Sequence, residues 1–325
     1  MMTMLSPVQP VRTLILDDSE DDIAIISRLL SQYEGAEFAV QSVTRPAEAM
    51  RGLESRDFDV FILDYSMPGI SGVEFMRGTY ALSHLPPAIM VTGQSDYHVV
   101  TLAVQAGVAD CLNKNHLTSR SLGDSIARVL ILAEQSERTR TLEGTLIERL
   151  AQAATLIEPT ISAQGVAHNS LALGRALGLS EREMDLLYHG ALAHDIGKLG
   201  IDTRILNKTG FLAEEETAVV QIHPLMGAEL FGALSNAKEV APIVRSHHEW
   251  WDGSGYPDGL AGEEIPYLAR IVSIGDAFDA MVSNRPYRAA LEAPQIRHEF
   301  KAGAGTQWDA RMVEAFLDIH PLLRE

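Results

Sequence analysis

Five short apolar runs, spaced through the first 133 residues, constrain the fold of this chain more than any other feature. VRTLIL at 11–16, EFAVQSV at 37–43, DVFILD at 59–64, AIMVTG at 88–93 and the stretch 109–112 are all strand-length, and each is followed by a segment long enough for an amphipathic helix. Strands alternating with helices return the chain to the same end of a sheet each time, so they pair in parallel with helices on both faces. The expectation is a doubly wound α/β domain of five parallel strands over residues 11–133. Its sites belong at the carboxyl ends of the strands, where the loops converge.

The rest of the chain changes character. Residues 119–157 contain no proline and read as one long helix. Leu142, Leu146, Leu150, Ala153 and Ile157 recur at spacings of four and three, which makes one apolar stripe. That stripe either packs on its own domain or pairs with a second copy of the chain, and we expect a connector over 134–157 in the form of a dimeric coiled coil. From 158 to 325 the pattern is helical, broken by Gly- and Pro-containing turns and lacking period-2 strands, so this half is expected to be an all-α domain. A length of 325 residues suits two cores rather than one.

Composition removes several function classes. A formal charge of −18 argues against nucleic-acid binding, which needs a basic surface to displace phosphate counterions. An anionic substrate would have to be met by a local pocket of metal, Lys and Arg. The single cysteine, Cys111, excludes intrachain disulfides and a Cys-rich zinc module. The segment MMTMLSPVQP has no basic or apolar signal region, and no apolar stretch approaches the length of a membrane span. A cytoplasmic protein with no membrane association is expected.

In the front half, Asp17 and Asp18 close the first strand and Asp64 the third. Three carboxylates converging at one sheet edge repel unless a cation neutralises them, and Mg²⁺ is the natural hard-oxygen partner. Thr92 and Lys114 add a hydroxyl and an ammonium at the same edge, which are the parts an aspartyl phosphate needs. Through LILDD at 14–18, LDYSMPGISG at 63–72, VTG and LNK, this half resembles the receiver domains of response regulators, which are flavodoxin-like. The resemblance implies phosphorylation at Asp64 by a cognate sensor histidine kinase, Mg²⁺ held by Asp17, Asp18 and Asp64, and Thr92 and Lys114 as switch residues. Two positions depart from the receiver pattern. Cys111 stands where an aromatic residue is usual, and Asn115 where a proline usually follows the lysine.

In the back half, His194, His223, His247 and His248 crowd into a short stretch of a chain with eleven histidines, bracketed by Asp195 and Asp276. Imidazole mixed with carboxylate suits Fe, Mn, Zn or Ni. Adjacent ligands on a helix diverge by about 100°, so Asp195 can bridge to a second ion that His194 cannot reach. His84, His98, His116, His189, His298 and His320 read as ordinary surface or core histidines. HDIGK at 194–198, HPLMG at 223–227, HHEWWDGSGYP at 247–257 and RIVSIGDAFDAMVSNRPYR at 270–288 together resemble the HD-GYP family, whose members hydrolyse cyclic di-GMP.

That resemblance implies two or three transition-metal ions (Fe, Mn, Ni or Zn). His194, Asp195 and Asp276 would hold one, and Asp195, His223 and His247 a second. His248 would complete the second sphere or help hold a third, and Glu158 stands where some members carry a third-metal carboxylate. It implies attack by a metal-activated hydroxide, giving pGpG, GMP or both, with Asp195 and Lys198 in catalytic roles. Arg285, Tyr256, Gly255, Pro257 and Lys198 would bind substrate. Expected partners are cyclic di-GMP, the sensor kinase, a second copy of the chain joined through the connector helix or the receiver, and diguanylate cyclase proteins.

One ligand of the pattern is missing. Counting back from Gly178, Leu179 and Ser180, the place of the family's first histidine falls on Ser162 and that of its arginine on Gly165. His168 lies six residues on and faces about 120° away on a helix, too far round to substitute. The expected activity is therefore a phosphorylation-controlled cyclic di-GMP phosphodiesterase. The alternative is a weakened cyclic-dinucleotide receptor or protein-docking module in which Ser162 has cost the first ion a ligand.

Overall fold

The computed structural model describes residues 9–323 apart from 56, 83, 94–96, 158–161, 209, 233, 235–236 and 285–288. The chain divides into two compact units, Met1–Arg138 and Thr139–Glu325. The first carries β1 (Val11–Leu16), α1 (Glu20–Ser31), β2 (Phe38–Val43), α2 (Pro46–Glu54), β3 (Val60–Asp64), the hairpin strands β4 (Ser66–Met67) and β5 (Ile70–Ser71), α3 (Gly72–Gly78), β6 (Ala88–Thr92), α4 (Tyr97–Gln105) and β7 (Asp110–Asn113). Five of the strands form one parallel sheet in the order β2-β1-β3-β6-β7. β3 and β6 are buried along their whole length, as parallel strands covered on both faces must be, whereas edge strand β2 is exposed at its middle residues. Two apolar clusters, one on each face, hold the helices. One contains Leu14, Phe61, Phe75 and Met90, the other Ile15, Ile26, Ile62 and Val91. The doubly wound five-stranded sheet read from the sequence is present, with the order that places β1, β3 and their loops side by side.

Helix α5 (Ser119–Ile157) runs unbroken, as the absence of proline predicts. Its apolar residues divide differently from the expected stripe. Ile147 and Ala151 are buried in the core of the second unit, while Leu142 and Leu146 are exposed at 70% and 45%. Leu150 of the stripe packs against the same core as Ile147, so the stripe is buried at Leu150 but not at Leu142 and Leu146, where Ile147 takes the inward place.

The second unit is helical. It comprises α6 (Ala163–Ala176), α7 (Glu181–Ala193), α8 (Thr203–Leu206), α9 (Glu214–Val220), α10 (His223–Gly232), α11 (Ala241–Ser246), α12 (Tyr267–Val282), α13 (Ala293–Gly303) and α14 (Ala310–Ile319). Among the described residues its only β-type pairings are two isolated bridges, Asp252 with Ala261 and Ala304 with Trp308. The larger core joins α6, α7, α12 and α14 through Leu173, Leu187, Ile271, Ile274, Phe278 and Phe316. A smaller one of Ile147, Ala193, Ile196, Phe231, Val240 and Val244 lies directly beside the His194-Asp195 pair and three residues before His247. Burial of each large apolar side chain among them, Ile147, Ile196, Phe231, Val240 and Val244, stabilises by about 1.5–3 kcal/mol, so the metal-ligand candidates are attached to anchored backbone. Among the described residues no helix is long and apolar enough to cross a membrane.

Candidate active site

Helix α7 opens with a capping box between Ser180 and Glu183 and ends at Ala193. His194 is its C-cap, and Asp195, at φ −97° and ψ 5°, leaves the α-helix for a 3-10 turn over Ile196–Gly200. The helical 100° splay between His194 and Asp195 does not apply for this reason. Instead His194 Nε2 stands 3.2 Å from Asp195 Oδ2 and 3.8 Å from Asp276 Oδ1 of α12. The tighter turn also brings residues three apart together, so Lys198 Nζ donates to Asp195 Oδ2 at 2.9 Å.

The other oxygen of Asp195 faces the opposite way. Asp195 Oδ1 is 3.1 Å from His223 Nε2 at the start of α10, and His223 Nε2 is 3.3 Å from His247 Nε2 at the end of α11. Ligand atoms of Asp195, His223, His247 and His248 all lie within 4.8 Å of one another. Each buried imidazole is oriented by its far nitrogen. Nδ1 of His194 donates to the Ala191 carbonyl at 2.7 Å, that of His223 to Val220 at 2.8 Å, and that of His247 to Val244 at 2.7 Å. With Nδ1 of each directed at a carbonyl, the Nε2 atoms of His223 and His247 are left facing each other, an arrangement that suits a shared cation.

The electrostatics agree. Burial, reinforced by the charges of His248, His194 and His223, holds His247 well below the ordinary imidazole range. Burial likewise pushes His248 down to about 3, so both offer neutral nitrogen. Burial works against the His194 imidazolium, but the carboxylates of Asp195 and Asp276 raise it to about 9. Asp195 is held well below the usual carboxylate range, with Lys198 and His194 overcoming the cost of burial. Among the described residues neither His194 Nε2 nor Asp195 Oδ1 has a hydrogen-bond partner of suitable angle. Buried donor atoms left without partners in this way fit a divalent metal centre, which would require His194 to be neutral.

The glycine-rich segment after His248 is built onto this cluster. Tyr256 stacks on His248 with ring centroids 4.9 Å apart and planes 28° apart, and its amide donates to the His248 carbonyl at 3.2 Å. Burial pushes its phenol pKa up, so the hydroxyl stays neutral. Gly255 passes so close to the 248–250 backbone that a Cβ would stand 2.2 Å from Trp250 N. The Tyr256-Pro257 bond is cis. Asp252 orients the loop by accepting from Ser254 N and Oγ at 2.9 and 2.6 Å. Trp251 packs beneath the Arg270 guanidinium at 5.5 Å, whereas Trp250 is partly exposed.

Three positions raised by the sequence are not among the clustered groups. Ser162 is the N-cap of α6: its Oγ accepts from Gly165 N at 3.1 Å, its own amide donates to Asp279 Oδ2 at 3.1 Å, and it is exposed. A side chain at Gly165 would collide with Asp279 Oδ1, 2.1 Å from its Cβ position. The serine and the glycine therefore form one capping arrangement with a buried carboxylate. His168 is exposed. Glu158 and Arg285 lie outside the described residues.

In the first unit, Asp64 ends β3 buried, its Oδ2 accepting from Ser66 N at 2.7 Å. Lys114, immediately after β7, reaches Asp64 Oδ1 at 2.7 Å, Asp17 Oδ2 at 2.8 Å and Asp22 Oδ2 at 2.6 Å. Burial opposes the ammonium, but these three carboxylates raise its pKa. Burial also raises Asp17, partly offset by Lys114. Asp17, Asp18 and Asp64 offer oxygens within 4.8 Å of one another, an all-oxygen set that fits a hard divalent cation. Thr92 is buried at the end of β6, in register with Asn113. Cys111 is half-buried, its thiol pushed up to about 11 by burial and by Asp110, and Asn115 Nδ2 donates to the Gly93 carbonyl at 3.3 Å.

Asp22, Asp279 and Glu249 were not singled out from sequence. Acids in a first helical turn, such as Asp22, are ordinary complements of the helix dipole. Glu249 carried a stronger signal, since it directly follows two candidate ligand histidines.

Known proteins are similar to this chain along most of its length. The family model described as HD domain matches residues 133–312, and the response regulator receiver domain model matches 13–124. The cyclic di-GMP phosphodiesterase response regulator RpfG of Xanthomonas campestris is 35% identical over 328 residues, covering 94% of this chain and 86% of that protein. A cyclic di-GMP phosphodiesterase of Thermotoga maritima is 32% identical over 294 residues, covering 82% of this chain and 80% of that protein. A 3′3′-cGAMP-specific phosphodiesterase of Vibrio cholerae is 37% identical over 186 residues, covering 55% of this chain and 35% of that protein. The HD match spans more than half of the chain, and the receiver match precedes it. The chain thus belongs to the HD domain family, as a response regulator whose receiver domain is followed by an HD output domain.

Proposed function

We propose that this protein is a metal-dependent phosphodiesterase that hydrolyses cyclic di-GMP, and that phosphorylation of Asp64 controls it. The observation that carries the reading is Asp195, whose two oxygens face His194 Nε2 at 3.2 Å and His223 Nε2 at 3.1 Å. A carboxylate directed both ways between histidines suits a bridge between two cations. His194, Asp195 and Asp276 would hold one, and Asp195, His223 and His247 the other, with His248 completing the second. Bound there, such ions lower the pKa of water and neutralise phosphoryl charge.

The chain's own residues account for the remaining work. Lys198, anchored on Asp195, supplies a positive charge at the edge of the cluster, suited to a phosphate oxygen or to protonating the departing 3′ oxygen. Water adds to phosphorus, the bond to that 3′ oxygen breaks, and linear pGpG results; a second hydrolysis would give GMP. Tyr256 and Gly255 shape the loop beside His248, and Arg285 is assigned to the phosphodiester from its sequence position alone. Ser162 leaves the first ion one protein ligand short of the HD-GYP pattern. The named activities of relatives that align over most of the chain favour turnover over a silent receptor. Asp64, with Lys114 at 2.7 Å and the Asp17-Asp18 pair beside it, supports an acyl phosphate.

The test is to load the protein anaerobically with Fe, Mn, Zn or Ni, count metal per chain, and follow cyclic di-GMP by chromatography beside cyclic GMP-AMP. Metal in the second unit with release of pGpG is expected. Less than one metal per chain, with no turnover under any loading, would remove the enzymatic reading. Preferential hydrolysis of cyclic GMP-AMP would move the substrate assignment and leave the site intact.

A further inference from the structure

Glu249 has no part in the chemistry proposed above, yet it is only 2% exposed. Its carboxylate points away from the ligand cluster and into the returning loop: one oxygen accepts from Asp258 N at 2.7 Å and the other from Leu260 N at 3.0 Å. Two amide donors facing two oxygens are satisfied by a carboxylate alone, because glutamine would turn an NH₂ group toward one of them. The loop so pinned carries Tyr256, whose ring lies flat on His248 and whose amide bonds to the His248 carbonyl. A second strap holds the same loop, since Arg245 of α11 reaches the Asp258 carboxylate at 2.6 and 2.7 Å. His248 differs from the other three histidines of the cluster, each of which is steadied through Nδ1 by a carbonyl three residues back.

We infer that Glu249 is a positioning residue for the metal centre: by holding Asp258 and Leu260 it lays Tyr256 against His248 and fixes the imidazole where it meets Asp195, His223 and His247. The stacked ring does for His248 what the carbonyl bonds do for its neighbours. This rests on the reading of His248 as a metal ligand. It also gives the Gly255-Tyr256-Pro257 turn a task on the protein side, independent of any contact with substrate.

The experiment combines amide hydrogen exchange of the full-length, metal-free protein with Mn²⁺ titration followed by electron paramagnetic resonance. Glu249→Gln is expected to lose protection at Asp258 and Leu260 and to bind Mn²⁺ about 10–100-fold more weakly, the usual cost of losing an outer partner of a ligand. Tyr256→Ala is expected to weaken Mn²⁺ binding similarly and Tyr256→Phe to preserve it, since the stack and not the hydroxyl is required. Val313→Ala, a cavity in the core of the same unit, should lower Tm without changing Mn²⁺ affinity. Unchanged affinity in Glu249→Gln or Tyr256→Ala, or an equal loss in Val313→Ala, would overturn the inference. Should Glu249→Gln fail to fold, the two Tyr256 variants decide alone. A wild type that binds Mn²⁺ but leaves cyclic di-GMP intact would refute the proposed substrate and leave these comparisons readable.

Discussion

Gly255→Ala adds one methyl group at a place where only backbone surrounds it. The new carbon would lie 2.2 Å from Trp250 N, 2.6 Å from Glu249 Cα and 2.6 Å from His248 O, whereas ordinary contact begins at 3.4 Å. No rotamer change can relieve contacts with main-chain atoms, so the loop and the 248–250 segment must part by roughly 1 Å. Overpacking of this kind costs about 1–3 kcal/mol, which in a domain of this size lowers Tm by roughly 2–4 °C per kcal/mol. The functional cost is larger, because the displaced segments carry His248 on one side and Tyr256 on the other. A misplacement of about 1 Å reduces turnover on the order of 10²-fold. The assay pairs thermal unfolding with Mn²⁺ affinity and cyclic di-GMP turnover on the same preparation. A variant with wild-type affinity and turnover would refute the close approach as a constraint on the metal centre, whatever its Tm.

Three further outcomes are expected. Asp195→Asn keeps the shape of the bridge but places an amide nitrogen, which has no lone pair to share, toward one of the two histidines; bound Mn²⁺ should fall by at least one ion per chain and turnover by about 10²-fold or more, and full occupancy in a metal count would contradict the bridging role. Asp309 is buried and paired with Arg270 at 3.1 Å and Arg311 at 3.0 Å. Although burial opposes its charge, hydrogen bonding by Arg311 and the charge of both arginines hold its carboxyl below the usual range. A depressed carboxyl stabilises the fold above its unfolded pKa near about 4, and that contribution drains away as pH falls through the lower folded value. Asp309→Asn keeps an acceptor oxygen but removes the charge facing buried Arg270, so it should cost about 1–3 kcal/mol at neutral pH and show a shallower acid loss than wild type in chemical denaturation at stepped pH. Parallel pH curves would sink this account. In the receiver, Lys114→Ala removes the ammonium shared by Asp17, Asp22 and Asp64, so beryllofluoride should alter turnover in the wild type and not in the variant; an equal response in both would detach Lys114 from the switch.

The receiver was legible because a buried parallel sheet writes itself as apolar runs, and because its acids close those runs at one edge. Asp17, Asp18, Asp64, Thr92 and Lys114 all lie at strand ends or directly after them, so periodicity alone brings them near one another. In the second unit the ligand types and their order were legible in HDIGK and HHEWWDGSGYP, but their geometry was not. His194 and Asp195 converge because α7 ends at Ala193 and a 3-10 turn begins at Ile196, so the pair occupies the two-residue boundary between them, which no hydrophobic pattern specifies. The apolar stripe of α5 shows the same limit: Leu146 and Ile147 are equally apolar, and only the surface below chooses Ile147. Ser162 has a different role from the histidine expected there, since it caps α6 through Gly165 N and donates its own amide to Asp279, which closely approaches the glycine.

Residue type and spacing along single elements were enough to read the receiver sheet, the helical second half, the acids at the sheet's carboxyl edge and the imidazoles and carboxylates that are candidates for a metal centre. The tertiary structure alone decided which way those side chains face. Asp195 became a candidate bridge when α7, α10 and α12 met around it. Glu249 became a strut when the loop turned its amides back onto a carboxylate that had no local partner. Direction is a property of backbone from several elements meeting in space, and residues distant in the chain leave no periodic trace of it in the sequence.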